Sequence, residues 1–171
     1  MATFRHVILF CVVGFASFQA VLSATPLKEF FEKVHKSPIL TYQCYRNGTS
    51  LEPEEARDVR VQWNGVGQPD VKADCVLSYS LGESQDRNTA TVHAEYLPEK
   101  DRVVLTLKDT TVEVALLTFP HDGKALYFKQ KPTGTTSVSY KIYDTEKSCD
   151  NARALYHRVC PKGCNMIYTK K

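Results

Sequence analysis

The sequence predicts an all-β chain. Eight antiparallel strands close into a barrel, with a short N-terminal helix before them and a C-terminal helix packed on the barrel after them. Three observations predict this. Between positions 39 and 144, apolar and polar residues alternate in runs, the period-two pattern of half-buried strands. Most runs are separated by short turns such as Pro98-Glu99-Lys100-Asp101 and Pro132-Thr133-Gly134, as in an up-and-down meander. Helical spacing is confined to the two flanks.

The elements follow in order. Thr25 caps a helix over 25–36 whose first turn holds Pro26, and Leu27, Phe30, Phe31 and Val34 make its one apolar face. Extended runs are read over 39–46, 59–63, 71–81, 88–97, 102–108, 110–119, 124–130 and 137–144. The fourth alternates cleanly, with Ala90, Val92, Ala94 and Tyr96 on one face and Thr91, His93 and Glu95 on the other, solvated one. A last helix starts after Asp144 or Thr145, either of which can cap it. It puts Cys149, Ala152, Tyr156, Val159 and Cys160 on one face and stops at Pro161 and Gly163. Eight strands must hide their edges, and a closed barrel leaves a lumen for side chains or one small ligand. The alternative closure is a two-sheet sandwich.

Composition bounds the function. The chain has 171 residues, with 22 Lys plus Arg against 19 Asp plus Glu and a net charge of +3. That suits one domain and is too balanced for a nucleic-acid binder. An apolar run from Val7 through Ala16 ends before the small residues Ser23 and Ala24, the pattern of a cleaved secretion signal. Residues 1–23 read as that signal and 24–171 as a single domain. The run is shorter than the roughly 20 residues a membrane span needs. Cleavage removes Cys11 and leaves Cys44, Cys75, Cys149, Cys160 and Cys164, which a secreted chain oxidises. Two bridges and one leftover thiol can be arranged in fifteen ways, five choices of the odd cysteine times three pairings of the rest. Zinc is not indicated, because Cys160 and Cys164 lack a second pair of ligands. Asn47-Gly48-Thr49 is a glycosylation sequon at Asn47. Catalytic triads, Cys-His nucleophile signatures and phosphate loops are absent from the sequence, so neither an enzyme nor a cofactor is expected.

The order of elements also resembles the tick salivary lipocalins, the histamine-binding protein family. The resemblance covers nearly the whole mature chain. It rests on the N-terminal helix, the lone Trp63, Cys75 at a strand start, the Ala94-Glu95-Tyr96 and Tyr140-Lys141-Ile142-Tyr143 strands, and the cysteine-bearing last helix. It implies a secreted, monomeric lipocalin that sequesters a small host-derived amine or lipid mediator, with a host protein as the alternative partner. Amine-binding members carry a Cys-Asp-aliphatic step and a later Glu-Leu-Trp/Tyr step. This chain has Lys124-Ala125-Leu126 and Lys141-Ile142-Tyr143 there, so both carboxylates are missing. An ammonium ligand beside Lys141 meets a like charge, which is costly away from water. A lipid or carboxylate ligand, such as a fatty acid or leukotriene, is favoured instead.

By the same resemblance, Tyr45, Trp63, Leu105, Glu113, Lys141 and Tyr143 face the ligand, although Trp63, Tyr45, Leu105 and Tyr143 suit a packed core equally. Glu113 shares a strand face with Thr111, Ala115, Leu117 and Phe119, and the resemblance turns that face inward. Glu113 and Lys141 then pair inside the lumen, or each reaches water at a wet barrel end. The resemblance further implies that Cys75 joins the C-terminus through Cys164 or Cys160, with Cys75–Cys164 preferred, and that Cys44 pairs with Cys149.

Overall fold

The computed structural model describes residues 24–48, 55–67, 71–120, 122–160 and 164–170. The expected signal peptide with Cys11, Thr49 of the sequon, and the expected helix stops Pro161 and Gly163 lie outside the described residues.

Helix α1 spans Pro26–Lys36. The strands are β1 (Ile39–Asn47), β2 (Ala56–Val66), β3 (Lys72–Leu81), β4 (Asn88–Leu97), β5 (Arg102–Leu107), β6 (Thr110–Thr118), β7 (Ala125–Pro132) and β8 (Ser139–Asp144). Helix α2 (Asp150–Val159) and a short β9 (Met166–Tyr168) follow. Each strand from β2 to β8 pairs antiparallel with the next, β8 pairs with β1, and β1 pairs with β2. The sheet therefore closes on itself as an eight-stranded barrel, and β9 adds to the outer edge of β1.

α1 stoppers one end. Thr25 accepts the Lys28 backbone N–H at 3.2 Å and donates to Asp101 at 2.6 Å, which ties the helix start to the β4–β5 turn. Its apolar face enters the barrel: Leu27, Phe30, Phe31 and Val34 are each about 1 % exposed. Phe30 meets Trp63 edge-on at 5.2 Å, with Phe119 and Phe128 at 5.8 and 6.1 Å. At roughly 1.5–3 kcal/mol per buried side chain, this face contributes on the order of 6–12 kcal/mol as an upper bound. Gly65 lets β2 pass beneath the helix, since a Cβ there would lie 2.7 Å from the His35 Cα.

α2 packs on the outer wall, where Ala152 and Leu155 join Cys44, Ile142 and Cys149 in a second apolar cluster. Its N-cap position is Cys149 in a left-handed conformation (φ 62°) with no side-chain cap. Asp144, at the end of β8, supplies the acceptor instead. Its carboxylate takes the Ala152 N–H at 2.8 Å and the Glu146 N–H at 2.8 Å, so it caps the helix from a distance.

Cys44 bonds Cys149, joining β1 to the start of α2. The expected Cys75–Cys164 bridge does not form. Cys164 bonds Cys160, and Cys75 is a buried free thiol. The reason is strand alternation. Cys75 stands opposite Trp63 and Val92 on the inner face of β3, whereas α2 and its cysteines lie outside the wall.

Candidate functional site

A cavity of about 420 Å³ occupies the barrel beyond α1, within the roughly 300–1,000 Å³ range of small-molecule sites. Most of its wall is apolar: Val59, Val61, Leu77, Val92, Leu105 and Val112 belong to it, along with Trp63 and Phe128. Polar groups are concentrated on three adjacent strands, β7, β8 and β1. They form two tiers, one deep and one at the mouth.

The deep tier is Gln43, Gln130 and Tyr143. Gln43 and Tyr143 face each other across β1 and β8, and the Tyr143 hydroxyl donates to Gln43 Oε1 at 3.3 Å. Burial pushes the Tyr143 hydroxyl pKa far up, against a hydrogen bond with Gln130, so it stays a neutral donor. The Gln43 amide also donates to Thr169 at 3.4 Å, and Thr169 N–H bonds the Cys44 carbonyl at 2.9 Å. The segment around β9 thus seals the wall where β1 leaves β2.

The mouth tier is Arg46, Glu55 and Lys141. Arg46 and Lys141 are directly opposite partners across β1 and β8, which places their Cβ atoms about 5 Å apart. Arg46 Nη2 donates to Glu55 in an ion pair, and Nη1 donates to the Asn47 carbonyl at 2.8 Å. Gly48 (φ 139°) makes room, since a Cβ there would collide with Arg46 Nη1. Lys141 is half-buried and makes no ion pair within 4 Å among the described residues. Burial lowers its pKa first and Arg46 lowers it further, while Glu55 pulls it back up.

A bulge in β1 makes this tier. The β1–β8 register slips between Gln43 and Tyr45, so Cys44 is the extra residue. Before the slip, odd positions such as Thr41 and Gln43 face inward. After it, Tyr45 stands opposite the outward Ile142, and Arg46 opposite the inward Lys141. A β-bulge re-aims side chains in this way. Tyr45, expected at the ligand, is therefore outside, stacked on Tyr156 at 4.8 Å.

Glu113 is also misplaced by the sequence expectation. It is exposed on the outer face of β6, opposite Lys131 and Val104. The inner face carries Val112, Val114 and Leu116, and a bulge between Leu116 and Thr118 returns Phe119 to the core. A Glu113–Lys141 pair is thus ruled out by the wall between them. Of the expected positions, Trp63, Leu105, Lys141 and Tyr143 line the cavity together. Gln43, Arg46, Glu55 and Gln130 line it as well and were not anticipated. Alternation from Phe128 pointed to Gln130 and alternation from Thr41 to Gln43; Glu55 carried no pattern.

Cys75 also lines the cavity. Burial pushes its thiol pKa up, with Asp74 adding to the effect, so it is an inert, protonated wall residue. Asn47, the sequon residue, is half-buried at the rim, where its side-chain oxygen accepts the Tyr140 N–H at 2.7 Å. Groups of three or more metal-ligating side chains are absent among the described residues. Among these residues no helix is long and apolar enough to cross a membrane.

The barrel with its two helices is the lipocalin fold. No family model matches the sequence, and no curated protein matches it. Solved structures do. The chain is similar to Japanin, a tick lipocalin from Rhipicephalus appendiculatus whose structure was solved bound to cholesterol. The TM-score is 0.54 at 9 % identity, covering 77 % of this chain and 91 % of that one. It is also similar to lobster apocrustacyanin A1, with a TM-score of 0.53 at 7 % identity over 85 % of each chain.

Proposed function

We propose that this chain is a secreted, monomeric lipocalin of the tick salivary kind that sequesters a small host mediator and so dampens host defence. Its ligand is a lipid bearing a carboxylate, such as a fatty acid or leukotriene, and not a histamine-type amine. The observation that carries this reading is an apolar cavity with Arg46 and Lys141 at its mouth. The apolar body of such a ligand fits the valine- and leucine-lined wall, and its anion answers two opposed cations. Cholesterol bound by Japanin supports an apolar ligand in a barrel of this fold. Two disulfides fit an oxidising, extracellular compartment. Asn47 carries a glycan at the rim. No catalytic role is assigned to any residue, and the alternative of a ligand-free inhibitor of a host protein predicts a filled lumen, which the open cavity disfavours.

Trp63 is the single tryptophan and lines the cavity, so ligand binding is read directly from its fluorescence. Titration with a long-chain fatty acid should saturate at one molecule per chain, and histamine should bind at least about tenfold more weakly. Tighter binding of histamine than of any fatty acid would overturn the proposal.

A further inference from the structure

We infer that Glu55 is a resident anion: in the empty barrel it occupies the Arg46 guanidinium, and a carboxylate ligand binds by displacing it. This rests on the proposed lumenal lipid site and names the residue that sets its charge selectivity.

The geometry supports the exchange at three points. First, Arg46 and Lys141 stand opposite one another on β1 and β8 and both line the cavity, an arrangement that like charges disfavour. Glu55 is the single acidic side chain among the described lining residues, against those two cations. It offsets part of their repulsion while the site is empty. Second, the Arg46 fork is committed, with Nη1 on the Asn47 carbonyl and Nη2 on Glu55. The Asn47 carbonyl belongs to the β1 backbone, whereas Glu55 is a side chain immediately before β2. An incoming carboxylate therefore exchanges with Glu55 and not with the backbone. Third, Glu55 is about one-third exposed and Arg46 about one-sixth, at 35 % and 17 % of their side-chain areas. The acid stands on the solvent side of the cation, where it can swing out to water on release.

The exchange makes the site choose by charge. A fatty acid replaces one carboxylate by another on Arg46 and gains Lys141 beside it. A fatty alcohol leaves Arg46 with Glu55. An amine adds a third cation.

The test compares wild-type protein with Glu55→Gln, which keeps the shape of the side chain and removes its charge. Oleate and oleyl alcohol are titrated against Trp63 fluorescence at low salt. The expected result is oleate binding about tenfold tighter in E55Q, the gain from no longer breaking one charge-assisted hydrogen bond. Oleyl alcohol should change by less than about twofold. Arg46→Gln should weaken oleate binding, and removing the Glu55 charge should tighten oleate less in the R46Q background than in wild type, because Glu55 and the ligand then no longer share the guanidinium. Oleate binding that is unchanged or weaker in E55Q would overturn the inference and make Glu55 a structural clamp. Equal tightening of acid and alcohol would overturn it too, as a general loosening of the mouth. Wild-type protein that binds neither probe would instead overturn the lumenal site itself. Melting temperatures of all variants, measured without ligand, separate misfolding from altered binding.

Discussion

Replacing Lys141 by methionine should make the empty protein more stable and a worse receptor for carboxylates. Lys141 is half-buried and directly opposite Arg46, and it forms no ion pair within 4 Å among the described residues. An opposed like-charge pair costs up to about 1 kcal/mol, and withdrawal of an ammonium from water adds to that. The methionine side chain fills much the same volume without charge, so a gain of about 1 kcal/mol is expected, or about 2–4 °C in Tm for a domain of this size. The sign of the pH dependence follows from the lowered pKa of Lys141, caused first by burial and then by Arg46. Between the lowered folded value and the ordinary lysine value, the unfolded chain binds more protons than the folded one, so stability rises with pH across that window. Tyr96, Tyr127 and Tyr143 have raised pKa values, through burial first, and oppose this trend once unfolded tyrosines ionise near pH 10. Thermal melts taken with rising pH through that window should show the wild type closing its stability gap on the variant. Binding moves the other way. Loss of one charge-assisted contact, worth about 1.5–3 kcal/mol, should weaken a fatty acid about 10- to 100-fold and leave the matching alcohol unchanged. Equal losses for acid and alcohol would refute the argument, since Lys141 would then be packing and not charge. A variant less stable than wild type at pH 7 would refute the electrostatic part.

Other perturbations follow from the same geometry. Phe30→Ala removes the ring that plugs the closed end against Trp63, Phe119 and Phe128, and should cost about 3–5 kcal/mol in a denaturant melt. Breaking Cys44–Cys149, which spans 105 residues, should cost about 4–5 kcal/mol, against about 2 kcal/mol for Cys160–Cys164, which spans 4. Paired Cys→Ser variants compared by calorimetry check the ranking. Cys75 should resist a thiol reagent in the native state and react on unfolding, because its thiol is buried and its pKa raised.

Most of the strand plan was legible because alternation and turn chemistry are local. The run 88–97 alternates without interruption, and β4 is observed over the same residues. The helix over 25–36 was legible from its cap and its Leu27, Phe30, Phe31 and Val34 spacing. What failed was face assignment where a bulge intervenes. Tyr45 keeps the parity of the inward Gln43 in sequence, and only the extra residue at Cys44 exchanges it for Arg46. Glu113 lies on a face that also holds Ala115 and Leu117, so apolar content did not separate inside from outside. Cys75 was recoverable, because its partners Trp63 and Val92 are inward. A thiol on that face cannot reach cysteines outside the wall. Glu55 precedes β2 in no periodic pattern, and its place at the mouth comes from the ion pair with Arg46. β9 is three residues long and was not anticipated. It is held by pairing to the bulged half of β1, which no local signal in 166–168 shows.

The most direct test of the lumenal account is native mass spectrometry of the protein with histamine, serotonin, leukotrienes and fatty acids supplied together. The account predicts one bound carboxylate lipid per chain, lost or strongly reduced in Lys141→Met. A bound amine that persists in that variant, or a barrel that retains none of the panel, would contradict it.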